Sequence, residues 1–178
     1  MLITLRLLVR YTINSKVARQ ISWRFEAQAT DTGKVRELVA ATGFFYPDEV
    51  DVAEELVRER LKNGPASGYH FVFAEDGDEL CGYASFGHIA CTRSSYDLYW
   101  IAVHPHRQGG GIGRQILAQA EQQIRQAGGT RVYIETSNRA QYKSTRAFYE
   151  RCGYKLDATL AEFYGPGDDK VIFVRVLE

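Results

Sequence analysis

The sequence has no excess of charge of either sign, because its 22 lysine and arginine residues equal its 22 aspartate and glutamate residues. Without a net charge there is no overall electrostatic field to attract nucleic acid or an anionic membrane, and neither is expected as a partner. The sequence also lacks an apolar stretch long enough to cross a bilayer. Any anion must therefore bind at a local site.

Cysteine is scarce, and the three cysteines show no pairing pattern. Cys81, Cys91 and Cys152 are an odd number, and none lies in a C-x-x-C or Cys/His metal-binding spacing. This usage is typical of reduced thiols in a cytoplasmic protein rather than of a disulfide framework. We expect all three to be small core residues, and we expect no bound metal.

The first twenty residues differ from the rest in composition. They carry four basic side chains and no acidic one, and Arg6 and Arg10 interrupt their apolar residues. Because no small-residue cleavage site follows, we interpret residues 1–20 as an N-terminal extension rather than a targeting presequence. Residues 21–178 suit a single domain in length.

The spacing of apolar residues predicts a mixed α/β domain. Period-two alternation indicates strands and 3.6-residue periodicity indicates helices, and Thr30 or Asp31 is expected to cap the first helix. Predicted strands lie near residues 21–25, 69–75, 80–90, 96–103, 132–134, 156–163 and 171–176, and predicted helices near 34–42, 47–63, 112–127 and 144–152. The resulting order is β-α-α-β-β-β-α-β-α-β-β, without repeats or an interior linker.

The most informative segment is a glycine-rich loop between the fourth predicted strand and the third predicted helix. Four of the five residues from 109 to 113 are glycine, and Arg107 and Arg114 flank them. Glycine removes Cβ atoms where the backbone must approach a ligand closely, and the first amides of a helix have no intrahelical partners. The loop therefore predicts an anion site, with a phosphate or pyrophosphate as the natural ligand. Arg107 and Arg114 are expected either to neutralise the phosphate charge or to be solvated.

The spacing of the glycines distinguishes between phosphate-binding loops. No Lys-Ser or Lys-Thr follows them, as a P-loop requires, and the loop does not follow the first strand of a βαβ unit, as dinucleotide-binding folds require. The run Gln108-x-x-Gly111-x-Gly113 instead matches the Q/R-x-x-G-x-G/A signature. From residue 21 to residue 177 the chain resembles the GNAT superfamily of acetyl-CoA-dependent N-acetyltransferases. A glycine-rich connection without a ligand is the alternative.

The resemblance implies an α/β domain of the GNAT fold, in which a mixed, mostly antiparallel sheet has splayed central strands. It also implies acetyl-CoA as cosubstrate and no metal. The pyrophosphate would lie on the loop residues Gln108, Gly109, Gly110, Gly111, Ile112, Gly113 and Arg114, and the pantetheine arm would bond to the backbone of Ile101, Ala102 and Val103.

A second motif supports the same resemblance, the run RAFYERCGY from Arg146 to Tyr154. Tyr149 aligns with the family tyrosine that lies near the coenzyme sulfur and commonly acts as general acid, whereas Phe148 is more typical of a core residue. A phenol holds its proton at neutral pH, as donation to a thiolate requires. The alternative is that Tyr149 only packs in the core.

Two carboxylates are candidates for the general base that takes a proton from the amine. Family members often have an acid six residues before the last valine of the strand that precedes the glycine loop, a place that Asp97 takes here. Glu135, at the end of the next strand, is the second candidate. Tyr142 replaces the asparagine that many family members carry seven residues before the motif tyrosine, so Asn138, Ser144 or neither holds the pantetheine arm.

The resemblance leaves the acceptor open. It implies a cleft between the loops at residues 43–47 and 163–169, where aromatic rings and carboxylates favour a cationic amine; a packed aromatic corner is the alternative. We expect an N-acetyltransferase acting on a small-molecule amine, an amino acid or a peptide amino terminus. A catalytically silent acyl-CoA sensor and a transferase for a longer acyl group are the rival functions. The oligomeric state, a homodimer included, is left open.

Overall fold

The computed structural model describes residues 21–178, and the expected extension at residues 1–20 lies outside the described residues. The strands are β1 (Ser22–Arg24), β2 (His70–Asp76), β3 (Glu79–His88), β4 (Ser95–Val103), β5 (Arg131–Ser137), β6 (Lys155–Gly165) and β7 (Asp168–Val176). The α-helices are α1 (Asp31–Ala41), α2 (Pro47–Asn63), α3 (Ile112–Gln126) and α4 (Lys143–Arg151). The predicted order of elements is therefore confirmed.

The seven strands form one sheet in the order β1-β2-β3-β4-β5-β7-β6. The pair β4 and β5 is parallel and the other neighbours are antiparallel. A parallel pair needs a crossover connection, and α3 supplies it. The sheet is thus mixed and mostly antiparallel, as the sequence predicts.

The central strands β4 and β5 pair along only part of their length. Ser95–Leu98 pairs with Arg131–Ile134, and the register ends there. Beyond Leu98, β4 remains paired with β3, up to the pair of Val103 with Gly82. The two strands therefore splay apart toward their carboxyl ends, and the backbone at residues 101–103 borders the gap.

A β-bulge at Tyr99 changes the alternation of side chains along β4. The register with β3 skips this residue, since Leu98 and Trp100 pair with consecutive residues of β3. Leu98 packs in the core beneath α3, and Ile101 contacts the same core. Trp100 instead packs on the side of α1 and α2. Strict alternation would have placed Trp100 on the same face as Leu98.

Helices cover both faces of the sheet, and each contributes a buried stripe at helical spacing. The buried residues of α3 include Ile116, Leu117, Ala120 and Ile124. Those of α1 and α2 include Val35, Val39, Val50, Ala53 and Val57. The two cores lie on opposite faces of the sheet, so the splayed ends of β4 and β5 are held between packed layers.

The start of α1 differs from the prediction. Thr30 occupies the cap position, but its side chain makes no capping hydrogen bond. Asp31 is fully buried and accepts hydrogen bonds from the Arg24 guanidinium at 2.7 and 2.8 Å and from the Gln28 amide at 2.7 Å. Arg24 also binds Glu75 at 2.7 Å. Asp31 therefore joins α1 to β1 and β2, which explains why an acid is buried there.

Removing this buried carboxylate is expected to destabilise the domain. In Asp31→Ala, Arg24 loses one of its two carboxylates while remaining largely buried, and we expect the free energy of unfolding to fall by about 3 kcal/mol. Urea denaturation measures the change. Asp51→Ala is the control, since Asp51 pairs with Arg36 at the exposed surface and its loss should cost about 1 kcal/mol or less. Equal losses in the two variants would contradict a structural role for the buried network.

The cysteines follow the prediction in two cases of three. Cys81 and Cys152 are buried, but Cys91 is exposed, and its backbone has a φ of 64°. A positive φ is uncommon for a residue with a side chain and typical of a tight turn, so Cys91 is a turn residue rather than a core residue. All three are free thiols in the part of the chain that the structure describes.

Candidate active site

A cleft of about 1420 Å³ follows the gap between β4 and β5. The glycine loop and the start of α4 line one half of it. The other half, called the acceptor half below, is lined by the loop between α1 and α2, by Asp97 and Glu135, and by the turn between β6 and β7. The structure thus brings together most of the site residues that the sequence indicates.

The glycine loop presents unpaired amides at the start of α3. Gly111, with a φ of 83°, caps this helix, and the Gln115 amide donates to its carbonyl. The amides of Ile112, Gly113 and Arg114 precede this first helical bond and therefore have no partner within the helix. A Cβ atom at Gly111 would meet no atom within 4 Å. The loop thus combines unpaired amides with open space beside Gly111, which is the arrangement of an anion site.

The side chains around this loop have separate roles. The Gln108 side-chain amide donates to the Val103 carbonyl at 3.0 Å, so it ties the loop to the end of β4. Arg107, expected either to neutralise phosphate or to be solvated, is bound by Asp76 at 2.9 Å and by Glu79. Arg114 is exposed and lines the cleft. Of the two flanking arginines, Arg114 is therefore the one available to an anion.

Tyr149 lies at the wall of the cleft, where α4 packs on the sheet. Its side chain is 5% exposed and packs against the rings of Tyr154 and Phe173. Burial, and secondarily the nearby Cys152 thiol, raises the pKa of Tyr149. Phe148, the expected core residue, is only partly buried, and it too lines the cleft. Tyr149 is therefore the more buried of the pair, and its phenol is neutral throughout the physiological range.

The two candidate bases lie on the same side of the sheet but in different environments. Glu135 is bound by Lys170 at 2.6 Å, so its charge is compensated. Asp97 is partly buried, and burial, followed by the charge of Glu135, raises its pKa, while Lys170 opposes the rise. Among residues 21–178, the Asp97 side chain has no hydrogen-bond or ion-pair partner. Of the two candidate bases, Asp97 is therefore the one with an unpaired side chain and a pKa that its surroundings raise.

The two candidates for holding the pantetheine arm are placed differently. Ser144 lies in the first turn of α4 and lines the cleft. Asn138 does not line it, because its backbone and side-chain amides both donate to Asp169, at 2.9 and 3.4 Å. Tyr142, which replaces the family asparagine, donates to the Phe44 carbonyl at 3.4 Å. The geometry thus favours Ser144 over Asn138.

The acceptor half is aromatic and acidic. Its rings are Phe44, Phe45, Tyr46, Tyr69, Tyr99, Trp100, Tyr142 and Tyr164, and its carboxylates are Asp48, Glu49, Asp97, Glu135 and Asp168. Burial, together with the charges of Glu135, Asp168 and Glu49, raises the pKa of Tyr164 to about 12. This part of the cleft therefore has a negative potential beside ring faces, a combination that suits a cation.

Sequence reasoning missed Arg139, which lies between the two loops of the acceptor half. Its guanidinium donates to the Tyr46 hydroxyl at 2.9 Å and pairs with Asp168 at 3.0 Å. These partners lie 93 and 29 positions away in the chain, so no local pattern could indicate the contact. Within residues 21–178 no three His, Cys, Asp or Glu side chains are grouped to hold a metal ion, and no described helix is long and apolar enough to span a bilayer.

Comparisons with known proteins agree with this architecture. The family model of the acetyltransferase (GNAT) domain matches residues 67–156. The N-alpha-acetyltransferase RimI of Mycobacterium tuberculosis is 31% identical over 96 residues, which cover 53% of this chain and 58% of that protein. A crystal structure of a GNAT-family protein from Desulfovibrio desulfuricans is 47% identical, with a TM-score of 0.87, and the match covers 88% of this chain and 99% of that chain. The PaiA N-acetyltransferase of Thermoplasma acidophilum, in complex with coenzyme A, is 18% identical, with a TM-score of 0.70 over 89% of this chain and 99% of that chain.

The family match spans about half of the chain and includes both the glycine loop and the Tyr149 motif. Together with the 47% identity over most of the described domain, it shows that the chain belongs to the GNAT acetyltransferase family. The alignment with the mycobacterial relative is more restricted, since it spans little more than half the length of that protein.

Proposed function

We propose that this protein is an N-acetyltransferase that transfers the acetyl group of acetyl-CoA to a primary amine. The observation that carries the proposal is the continuity of the cleft, which joins a glycine loop with unpaired amides to a half-buried, unpaired carboxylate. Two of the relatives are N-acetyltransferases, and one of these was solved with coenzyme A. The cleft of this chain combines a loop suited to the pyrophosphate of acetyl-CoA with a carboxylate suited to take a proton from the amine.

The residues present fit coenzyme A. The amides of Ile112, Gly113 and Arg114 have no partner within the helix at the positive end of α3, and these residues line the cleft, as a pyrophosphate site requires. The β4 backbone at residues 101–103 borders the gap and pairs with no residue of β5 there. Apart from the Val103 carbonyl, which Gln108 holds, its peptide groups on that side suit the amide-containing pantetheine arm. Ser144 lies beside the same path. When bound, acetyl-CoA would supply the acetyl group as a thioester.

The acid and the tyrosine account for the two protons of the reaction. The amine nitrogen forms the new amide bond and loses a proton, which Asp97 accepts directly or through water. The carbon–sulfur bond breaks, and Tyr149 donates a proton to the departing sulfur. After product release, the Tyr149 phenol regains its proton from solvent and Asp97 releases its proton to solvent. The raised pKa of Asp97 makes it a stronger base than an exposed aspartate, and the raised pKa of Tyr149 keeps its proton in place.

The activity is tested by measuring coenzyme A release from acetyl-CoA across a panel of amines, amino acids and peptides. Release that depends on the amine supports the proposal, and tight acetyl-CoA binding without release from any acceptor would favour a silent sensor. The same assay with propionyl-CoA and butyryl-CoA decides between acetyl and longer acyl groups. A cytoplasmic location belongs to this proposal, and the three free thiols are consistent with a reducing compartment.

The pH dependence of the reaction should identify the base. We expect kcat/KM to rise with pH through the pKa of Asp97, which lies above the ordinary aspartate value of about 3.9. Above that pKa the carboxylate is charged and accepts a proton, so Asp97→Asn should lose this rise and Glu135→Gln should keep it. A second rise, from deprotonation of the amine itself, is common to all variants. If Glu135→Gln loses the rise and Asp97→Asn keeps it, Glu135 is the base. If both variants keep the rise, neither carboxylate is the base.

A further inference from the structure

Arg139 is the cation that lies between the two loops of the acceptor half, and its position is fixed. Its Nη1 donates to the Tyr46 hydroxyl, and its Nε lies 3.0 Å from one Asp168 oxygen. The Ser137 hydroxyl donates to the other Asp168 oxygen. The guanidinium carbon lies 5.7 Å from the ring centres of both Tyr46 and Tyr142. Asp168 therefore compensates the charge of an immobilised arginine.

The second cation of this region is compensated in the same way. Lys170 binds Glu135 at 2.6 Å, and its ammonium group lies 3.7 Å from the centre of the Phe163 ring. Asp48, Glu49 and Asp97, by contrast, have no ion-pair partner among residues 21–178. In the described part of the chain, the acceptor half is thus lined by five carboxylates and one cation, Arg139, and both Arg139 and the neighbouring Lys170 are already paired.

We propose that Asp168 determines acceptor specificity by neutralising Arg139, so that the cleft accepts amines without a carboxylate next to the reacting nitrogen and rejects free amino acids. The inference rests on the activity proposed above and narrows its acceptor class. The accepted class comprises alkyl and arylalkyl amines and amines flanked by an amide, as at a peptide amino terminus.

The physical reason is that, among the described residues, the acceptor half offers no unpaired cation to a carboxylate on the acceptor. A carboxylate on the acceptor would compete with Asp168 for Arg139 and would lie near the unpaired acids of the same half. Near a protein surface, repulsion between like charges a few ångströms apart lowers binding by about tenfold or more. An amide of the same shape meets no such repulsion, and its oxygen can still accept a hydrogen bond from the unoccupied guanidinium nitrogen.

Matched acceptors test the inference through coenzyme A release. Each set shares a side chain and contains an amine, an amino acid amide and an amino acid: 2-phenylethylamine, phenylalaninamide and phenylalanine; 3-methylbutylamine, leucinamide and leucine. We expect the wild-type protein to prefer the amide to the amino acid by at least about tenfold in kcat/KM. In Asp168→Asn, Arg139 is no longer neutralised, and the preference should narrow by about tenfold, mainly through a lower KM for the amino acid.

The amide and the amino acid also differ in the pKa of their amine, but this difference affects the wild type and Asp168→Asn equally. Comparing the preferences of the two proteins therefore removes its contribution. Asp169→Asn is the matched control: it removes one negative charge from the same turn, but Asp169 binds Asn138 and the Glu162 amide rather than Arg139. The control should keep the wild-type preference. Amino acids used as well as their amides by the wild type, or an unchanged preference in Asp168→Asn, would overturn the inference. Amine-dependent release from no set, in a protein that binds acetyl-CoA by calorimetry, would contradict the proposed activity itself.

Discussion

Replacing Tyr149 with phenylalanine is expected to lower kcat by about 10²-fold to 10⁴-fold, the usual range for loss of a general acid. The variant keeps the ring that packs against Tyr154 and Phe173 and loses only the hydroxyl. The affinity for acetyl-CoA should change little, because the loop amides and the β4 backbone carry binding. Single-turnover kinetics and calorimetry measure the two quantities separately.

The pH dependence of the wild-type protein gives an independent check on this tyrosine. Burial raises the pKa of Tyr149 above the ordinary value of about 10, so the phenol remains protonated and kcat should not fall up to about pH 10. A buried phenol is also a weaker acid than a free one. Transfer to sulfur is therefore most favourable when the leaving thiolate lies in the same apolar environment, where burial raises the thiol pKa as well.

Tyr154→Phe is the control for this substitution. Tyr154 is buried, its hydroxyl donates to Glu121 at 3.0 Å, and it does not line the cleft. Its loss should lower stability without a selective effect on chemistry. If Tyr149→Phe turns over at nearly the wild-type rate while chemistry limits kcat, Tyr149 is a packing residue, and the sulfur takes its proton from water or from the product ammonium. A lost affinity with unchanged kcat would instead make Tyr149 part of the coenzyme site.

The second large effect is expected from Gly111→Val, which should weaken acetyl-CoA binding by about 10²-fold or more. A side chain at this position projects into the open space that the pyrophosphate needs, and loss of two charge-assisted hydrogen bonds costs about 3–6 kcal/mol. Isothermal titration calorimetry measures the affinity. Gly113→Val should act in the same direction, although there the added atoms also meet Phe148 and Val103, which lie 3.5 Å from an ideal Cβ.

Backbone strain must be separated from lost binding, because Gly111 has a φ of 83° that valine adopts poorly. Gly128 provides a matched control, since it has the same φ, lies beyond the opposite end of α3 and also has no atom within 4 Å of an ideal Cβ. Gly128→Val should lose similar stability and keep its affinity. Unchanged affinity in both Gly111→Val and Gly113→Val would refute the proposed pyrophosphate site.

Local patterns in the sequence were sufficient for most of the fold. The stripes of α2 and α3 recur at helical spacing, and the turn at Asp76 and Gly77 separates two β-rich runs, so each element is encoded within its own segment. The glycine loop is equally local, because a loop and the helix that follows it form the anion site together. The family resemblance then supplied the splayed strands, which periodicity alone does not indicate.

The remaining features depend on partners that are distant in the chain. Arg107 binds acids on the β2–β3 hairpin, and Arg139 binds residues of two separate loops. Charge alone does not reveal which basic side chains already have partners, so Arg107 was expected to face phosphate or solvent. The relative burial of Phe148 and Tyr149 depends on how α4 rotates against the sheet, and adjacent aromatic residues carry no signal for that rotation.

The extra residue in β4 explains how Leu98 and Ile101, three positions apart, both contact the core beneath α3. Deletion of Tyr99 would leave Leu98 and Trp100 paired with the same consecutive residues of β3, so plain alternation would keep both Leu98 and Ile101 on the side of α3. A second deletion in this part of the strand would not preserve this arrangement, because a further one-residue shift moves every side chain of one half to the opposite face. The bulge therefore sets the distance between Asp97 and the backbone at residues 101–103, and not the face of the sheet on which they lie.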